Sequence, residues 1–212
     1  MVGRFDERAK SYVEKFRLRT LDESGALDKS EETIERVDAS LMTETSQRLR
    51  IGVMGPGTCE PEVARTAETV GRLIAEEAAI LICGGRSGVM EAASKGANEA
   101  GGVVVGILDS DDERAANRFV TIPILTGMGQ GRNVINVLTS HSVIAIGGGP
   151  GTLSEIALAA RTCTPIVGLD TWSPGLGGSE LPMHHATDPA SAVGEAIRLA
   201  RQQIQLIPAD RL

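Results

Sequence analysis

The chain has 212 residues, 42% of them hydrophobic and 23% charged, which is an ordinary globular composition and allows one α/β domain with an appendage. A net charge of −7 disfavours nucleic acid or an anionic membrane as the main partner, and an aromatic content of 2% leaves few rings for base stacking. No apolar run approaches a membrane span, and the charged N-terminus is unlike a signal peptide, so we expect a cytoplasmic protein.

Residues 1–48 differ from the rest of the chain, because they are rich in charge and contain three of the four lysines. Apolar spacing around residues 12–18 and 34–41 predicts two weakly amphipathic helices. We expect an N-terminal extension that packs on the domain or on a partner subunit, and a partly disordered tail is the alternative. The globular domain is then expected over residues 49–212.

From Arg50 onward, short apolar runs alternate with stretches of helical periodicity. The predicted strands cover residues 51–55, 79–83, 103–108, 119–122, 143–146 and 165–169, with a short edge strand at 183–186. We expect the fourth strand to end at Pro123 and the final helix to begin at Pro189, capped by Asp188. This alternation predicts an α/β fold, with a doubly wound parallel sheet of about six or seven strands and helices on both faces.

Glycine-rich turns follow four of these strands, at residues 55–58, 84–88, 127–132 and 147–155. Each turn follows a strand, so all four should lie around one cleft at the carboxyl edge of the sheet. In the last turn, four glycines and Pro150 fill five positions before a helix that we expect to open at Thr152. Such a turn suits a phosphate, because helix N-termini carry unpaired N–H groups and glycine allows close approach. A tight turn without a ligand is the alternative.

Neither of the two standard phosphate-binding fingerprints occurs in the chain. G-x-x-x-x-G-K-[ST] is absent, and no G-x-G-x-x-G follows a strand. The sequence therefore argues against a P-loop NTPase and against an ordinary NAD-binding domain.

Three charged residues lie in the glycine turns: Arg86, Arg132 and Glu155. An arginine beside a helix N-terminus can grip a phosphate or carboxylate, and a glutamate can hold sugar hydroxyls or act as a base on water. The alternatives are a surface position for Arg132 and a helix-dipole partner for Glu155. The predicted ligand-binding residues are Gly55, Gly57, Thr58, Gly84, Gly85, Arg86, Ser87, Gly88, Gly131, Asn133, Gly148, Gly149, Gly151 and Thr152.

Other reactive side chains are assigned structural roles. Lys95 is expected to be solvated, and His141 to pack or form hydrogen bonds. His184 and His185 should point to opposite faces of a strand, which makes them a poor metal pair. The three cysteines are scattered without zinc-ligand spacing, so we expect reduced, partly buried thiols and no metal site.

The stretch Gly148-Gly149-x-Gly151-Thr152-x-x-Glu155 resembles the P-G-G-x-G-T-x-x-E signature of the LONELY GUY-like (LOG/SLOG) superfamily, often mislabelled lysine decarboxylases. The turn Gly84–Met90 is similar to that superfamily's G-G-G-x-x-G-x-M motif, and Arg132 looks like its conserved arginine. The resemblance covers about residues 50–205. It implies a Rossmann-like fold and a homodimer or higher homo-oligomer.

The resemblance also implies a chemistry, because cytokinin-producing members hydrolyse N6-substituted adenosine monophosphates to base and ribose 5-phosphate. Phosphate would then be held by residues 149–152, while Glu155 binds ribose or activates water. Arg132 would orient that carboxylate or the sugar phosphate, so the resemblance predicts Arg132 and Glu155 as the catalytic pair. No cofactor is needed for this chemistry.

The chain departs from the superfamily signature in ways that resemble a side branch. Gly147 replaces the signature proline, Pro150 the usual aromatic residue, and Ser154 stands where an acid often sits. The side branch includes molybdenum cofactor carrier proteins, which bind a phosphate-bearing pterin without turning it over. Molybdenum cofactor is thus a candidate cargo.

Two hypotheses stay open on this basis: a binding module for a small phosphorylated, nucleotide-like ligand, and a nucleoside 5′-monophosphate phosphoribohydrolase. A PLP-dependent lysine decarboxylase is disfavoured, because Lys95 is the only lysine of the domain and does not follow a strand.

Overall fold

The computed structural model describes residues 48–173, 175–176 and 179–205. Strands and helices alternate along it as the periodicity predicts. The strands are β1 (Arg50–Met54), β2 (Ile80–Cys83), β3 (Val103–Leu108), β4 (Ile122–Leu125), β5 (Ser142–Ile146), β6 (Ile166–Leu169), β7 (Gly175–Leu176), β8 (Ser179–Glu180) and β9 (His184–Ala186). The helices are α1 (Pro61–Glu76), α2 (Val89–Glu99), α3 (Asn133–Thr139), α4 (Pro150–Thr162) and α5 (Pro189–Gln205), with short 3₁₀ turns at Glu113–Ala115 and Gly129–Arg132.

Seven strands form one parallel sheet in the order β4-β3-β2-β1-β5-β6-β9. The strands β7 and β8 pair antiparallel as a separate ribbon. The chain runs outward from β1 to β4 and then returns to the other side of β1, where Val53 pairs with Ile144. The switch point of the sheet therefore lies between β1 and β5.

Helices cover both faces of the sheet, which confirms the predicted Rossmann-like α/β fold. On one face, apolar residues of α1, α2 and α5 form the larger core against the central strands. On the other face, Val137 of α3 and Ile156 and Ala159 of α4 pack against Ala145 and Ile166. Strands buried on both sides are mostly apolar, and β5 is buried at all five positions, where its one polar residue, Ser142, donates its hydroxyl to Ala196 O at 2.9 Å.

Two predicted boundaries were wrong. The fourth strand does not end at Pro123 but runs from Ile122 to Leu125 and contains the proline. An edge strand tolerates this, because one row of its N–H groups faces away from the sheet. Helix α4 begins at Pro150 rather than Thr152, since proline suits a first helical position, where its missing N–H would be unpaired anyway.

The final helix has the predicted start. It begins at Pro189, and Asp188 Oδ1 accepts a hydrogen bond of 2.9 Å from the N–H of Ser191. The two helices expected within residues 1–48 lie outside the described residues. No helix in the described part is long and apolar enough to cross a membrane.

Candidate functional site

Two of the predicted glycine turns meet at the switch point. Residues 55–58 follow β1, and residues 147–149 connect β5 to α4. A Cβ atom on Gly149 would lie 3.6 Å from the Cβ of Pro56, so the two turns are in van der Waals contact. They form neighbouring walls of the crevice at which doubly wound sheets bind ligands.

The N-terminus of α4 is open towards this crevice edge. Gly149 is the N-cap residue, and no side chain of the described residues caps the first turn. Pro150 has no N–H, so the free donors of this turn are the backbone N–H groups of Gly151 and Thr152. Outside its own helical turn, no atom of the described chain lies within 4 Å of a Cβ placed on Gly151. An anion therefore has room to reach these donors.

The hydroxyl of Thr152 lies in the same turn. Thr152 is only 1% exposed, and its Oγ1 has no hydrogen-bond partner within residues 48–173, 175–176 and 179–205. A buried hydroxyl without a partner costs about 1–3 kcal/mol, so native proteins rarely leave one unexplained. Among the described residues, the Thr152 hydroxyl is therefore an unsatisfied group in the uncapped first turn of α4.

Arg132 is buried against the backbone at the end of β2. It is 8% exposed, and a Cβ on Gly84 would lie 2.2 Å from its Nη1 and 2.3 Å from its Nη2. The guanidinium therefore lies directly on Gly84, and only glycine leaves room for it. This rules out the surface position that was the alternative for Arg132.

Glu155, 6% exposed on α4, faces Arg132 from across the crevice. The distance from its Oε1 to Arg132 Nη1 is 3.8 Å. The same carboxylate oxygen accepts a 2.9 Å hydrogen bond from Nδ2 of Asn136 on α3. The structure thus brings together the two residues predicted as a catalytic pair, and it adds Asn136, which lies one helical turn after Arg132.

Burial raises the pKa of Glu155 above the ordinary glutamate value, and the Asn136 hydrogen bond and the Arg132 charge only partly oppose this effect. Nε of Arg132 and Oδ1 of Asn136 also lack hydrogen-bond partners in the described part of the chain. These two atoms are a buried donor and a buried acceptor left unsatisfied by the described residues. A carboxyl whose pKa is raised by burial can act as an acid or a base toward a bound ligand.

The turn between β2 and α2 uses its glycines differently. A Cβ on Gly88 would lie 2.4 Å from the carbonyl oxygen of Pro56, and one on Gly55 would lie 2.4 Å from Cγ1 of Val89. The Ser87 hydroxyl donates to the Gly57 carbonyl at 2.8 Å. These predicted ligand-binding residues pack the turns after β1 and β2 against each other.

The carbonyls of this turn are also paired within the protein. Asn117 donates its backbone N–H to Gly85 O at 2.8 Å and its Nδ2 to Gly85 O and Arg86 O at 3.1 and 3.0 Å. The first-turn N–H of Val89 donates to the Pro56 carbonyl at 3.1 Å. Arg86 itself pairs with Asp109 at 3.3 Å, so its charge is already balanced.

An open cavity of about 650 Å³ adjoins this turn. Its lining carries both signs of charge and comprises Arg86, Ser87, Glu91, Asp112, Arg114, Ala115, Ala116 and Asn117. A bidentate contact holds Arg114 to Asp112, at 2.9 and 2.8 Å. The cavity therefore lacks the concentration of free donors found at the N-terminus of α4.

The remaining predicted ligand residues divide into two groups. Gly57, Thr58 and Gly131 are exposed around the crevice. Asn133 is buried, and its Nδ2 donates to Ser154 Oγ at 2.9 Å, which ties α3 to α4.

Sequence reasoning missed three residues at the crevice: Asn136, Thr171 and Trp172. Asn136 stands four positions after Arg132, which is one helical turn and could have indicated it. The Thr171 hydroxyl donates to the Gly147 carbonyl, and a Cβ on Gly148 would lie 2.8 Å from Trp172 Nε1. Both residues follow β6 closely, so the edge rule for parallel strands would have placed them here.

The lysine and histidines to which the sequence analysis gave structural roles make structural contacts. Lys95 Nζ pairs with Glu68 at 2.9 Å on the surface. His141 Nδ1 accepts the N–H of Arg50 at 3.0 Å, and burial lowers the pKa of His141 to about 4. His184 Nδ1 lies 2.9 Å from Glu195.

The cysteines differ in exposure more than expected. Cys83 is fully buried, which raises the pKa of its thiol, whereas Cys59 is half-buried and Cys163 is exposed. The expectation of partial burial was therefore wrong for Cys163. Within the described ranges, no group of three His, Cys, Asp or Glu is placed to hold a metal ion.

The sequence model of the SLOG cluster4 family matches residues 48–206. The chain belongs to this family. The matched range contains all four glycine turns, including Arg132 and Glu155. It confirms the resemblance to the LOG/SLOG superfamily.

Solved structures place the chain beside molybdenum cofactor carriers. The molybdenum cofactor binding protein of Rippkaea orientalis is 40% identical, with a TM-score of 0.66 over 74% of this chain and 98% of that one. The molybdenum cofactor carrier protein of Chlamydomonas reinhardtii is 38% identical, with a TM-score of 0.64 over 73% and 99%. An uncharacterized protein of Archaeoglobus fulgidus is 50% identical over 113 residues, which is 53% of this chain and 74% of that protein.

Proposed function

We propose that this protein binds a phosphorylated pterin or nucleotide-like ligand at the N-terminus of α4 and carries molybdenum cofactor as its cargo. The observation that carries the proposal is the Thr152 hydroxyl, which is buried and unpartnered among the described residues in an uncapped first turn. The similarity of the chain to molybdenum cofactor carrier proteins, at about 40% identity, also supports the proposal.

The donor set of this turn fits a phosphate. The N–H groups of Gly151 and Thr152 and the Thr152 hydroxyl offer three donors at the positive end of a helix dipole. The turn contains no acidic side chain that would repel an anion. The phosphate would satisfy the Thr152 hydroxyl, and the rest of the ligand would extend along the crevice between β1 and β5.

Isothermal titration tests this assignment with a metal-free, oxidised molybdopterin derivative as the ligand. Thr152→Val removes the hydroxyl at nearly constant shape and should weaken binding about tenfold, as expected for one lost hydrogen bond to a charged group. Thr162→Val is the matched control, because the Thr162 hydroxyl donates to Leu158 O at the opposite end of α4. Equal weakening by both variants, or no binding to the wild type, would contradict the proposal.

A second candidate function is hydrolysis of nucleoside 5′-monophosphates to base and ribose 5-phosphate. The buried Arg132–Glu155 pair favours it, because a carboxyl whose pKa is raised by burial can act as acid or base. Chromatography of a nucleotide panel after incubation would detect free base. Product lost in Glu155→Gln would establish the enzyme, and no product from the wild type would leave the carrier function alone.

We also propose that the protein forms a homodimer or higher homo-oligomer. The edge strand β4 supports this, since Ile122, Ile124 and Leu125 are 48, 40 and 44% exposed. Apolar side chains grouped on a strand whose outer edge has no partner strand among the described residues favour association with a second copy. Light scattering should therefore detect an oligomer that Ile124→Glu converts to a monomer.

A further inference from the structure

Trp172, the single tryptophan of the sequence, stands beside the open end of α4. It lies three residues beyond the end of β6 and is 45% exposed. A large aromatic side chain left half in water at a crevice is unusual in a chain with so few aromatic residues. It is also absent from the two buried cores of the domain.

The contacts of Trp172 hold it over the signature turn rather than over the sheet. A Cβ on Gly148 would lie 2.8 Å from Nε1, 3.2 Å from Cε2 and 3.4 Å from Cδ1 of the indole. The preceding residue fixes the segment, because the Thr171 hydroxyl donates to the Gly147 carbonyl. The indole thus rests on bare glycine backbone, next to the N-cap residue Gly149.

We propose that Trp172 is a stacking residue for the ring of the bound ligand, an inference that rests on the proposed function. The phosphate would bind at Gly151 and Thr152, so the ring would lie within reach of the exposed part of the indole. A fused bicyclic heteroaromatic ring, purine or pterin, offers the flat surface that an indole stacks on. Gly148 supports this arrangement, since any larger residue would push the indole away.

The contribution expected from such stacking is measurable. Aromatic stacking on a base changes affinity by about tenfold or more on alanine substitution. Trp172→Ala should therefore weaken ring-bearing ligands by about that factor, whereas Trp172→Phe should keep most of the affinity. The affinity for ribose 5-phosphate, which has the phosphate but no ring, should not change.

Fluorescence gives a second readout that reports on Trp172 alone, because the chain has no other tryptophan. Guanosine 5′-monophosphate and the oxidised molybdopterin derivative are titrated into the full chain, with ribose 5-phosphate as the ring-free control. The ring-bearing ligands should quench the emission, and ribose 5-phosphate should not. The relative affinities of the two ring-bearing ligands then distinguish a purine from a pterin.

Calorimetry on the same samples separates the two ways in which the idea can fail. If the wild type binds ring-bearing ligands but Trp172→Ala binds them equally well, stacking is refuted and the proposed function stands. If the wild type binds no phosphorylated ligand, the proposed function fails, and the role of Trp172 fails with it.

Gly148→Ala provides an independent check on geometry. Its methyl group would displace the indole, so the emission spectrum of the ligand-free protein should shift and ring binding should weaken. In a double-mutant cycle, Gly148→Ala should cost little further affinity once Trp172 is alanine. Additive losses would mean that Gly148 acts on the phosphate instead, and they would contradict the proposed link between the two residues.

Discussion

Two strand-to-helix turns of this protein are rich in glycine, yet they use it for opposite purposes. In the turn before α2, a Cβ on Gly88 would lie 2.4 Å from a backbone oxygen, and the first-turn N–H of Val89 is already paired. In the turn before α4, the space around Gly151 is open and the first turn has no capping side chain among the described residues. The first turn packs the protein together, and the second leaves donors for something else.

The difference shows that a glycine cluster alone does not identify a ligand site. Glycine permits close approach of any group, and the approaching group before α2 is the protein's own backbone. What distinguishes the turn before α4 is the buried hydroxyl of Thr152, which lacks a partner in the part of the chain described. Substitutions in the two turns should therefore separate stability from binding.

The largest effect is expected from Gly88→Ala. Gly88 has φ +67°, and its Cβ would overlap the Pro56 carbonyl, so we expect a loss of about 3 kcal/mol or more in the free energy of unfolding. Gly151→Ala should change that free energy by no more than about 1 kcal/mol, because its position is open. Urea denaturation of both variants measures the contrast. Similar losses would remove the distinction between the turns.

Gly84→Ala should have an intermediate effect, because the guanidinium of Arg132 occupies the place of the new methyl group. Overpacking of this kind typically costs about 1–3 kcal/mol, and here it would also move Arg132 from Glu155. Chemical denaturation of Gly84→Ala, Arg132→Met and the double variant measures the coupling. We expect Arg132→Met to lower the free energy of unfolding less in the Gly84→Ala background than in the wild type. Strictly additive losses would show that a part of the structure other than Arg132 shifts to make room for the methyl group.

The alternation of strands and helices was predictable from the sequence, because short apolar runs mark the buried strands and apolar residues recur at helical spacing between them. The burial of the Arg132 guanidinium was not predictable, since it depends on Gly84, which is distant in the chain. The packing of Gly88 against Pro56 was not predictable for the same reason, because this contact joins two turns, and the ligand-binding role of Gly88 stays a prediction. The fourth strand was predicted with the wrong bounds, because proline ends a strand only where a neighbouring strand needs its N–H.

Gly151→Asp adds a negative charge to the turn before α4 and should change stability and ligand binding in opposite directions. A carboxylate in the open first turn of α4 complements the helix dipole and should stabilise the fold by about 0.3–1 kcal/mol. The same carboxylate would occupy the donors of Gly151 and Thr152 and repel a phosphate. We expect ligand affinity to fall by about tenfold or more while the melting temperature holds or rises. A variant that binds phosphorylated ligands normally would place the anion site elsewhere.

The smallest effect is a change in pH dependence at Glu155, the buried carboxyl on α4. Burial raises the pKa of Glu155 in the folded state, so the fold prefers the protonated form. The associated stability is complete below pH 4.5, the ordinary glutamate value, and is lost as the pH rises through the raised pKa. Glu155→Gln cannot titrate, so its stability relative to the wild type should increase with pH across this window.

Denaturation at several pH values measures the trend, with Glu91→Gln in the first turn of α2 as a control for losing a carboxylate. A relative stability that falls with rising pH would mean that Arg132 and Asn136 outweigh burial, and that Glu155 is held as a carboxylate rather than poised to exchange a proton.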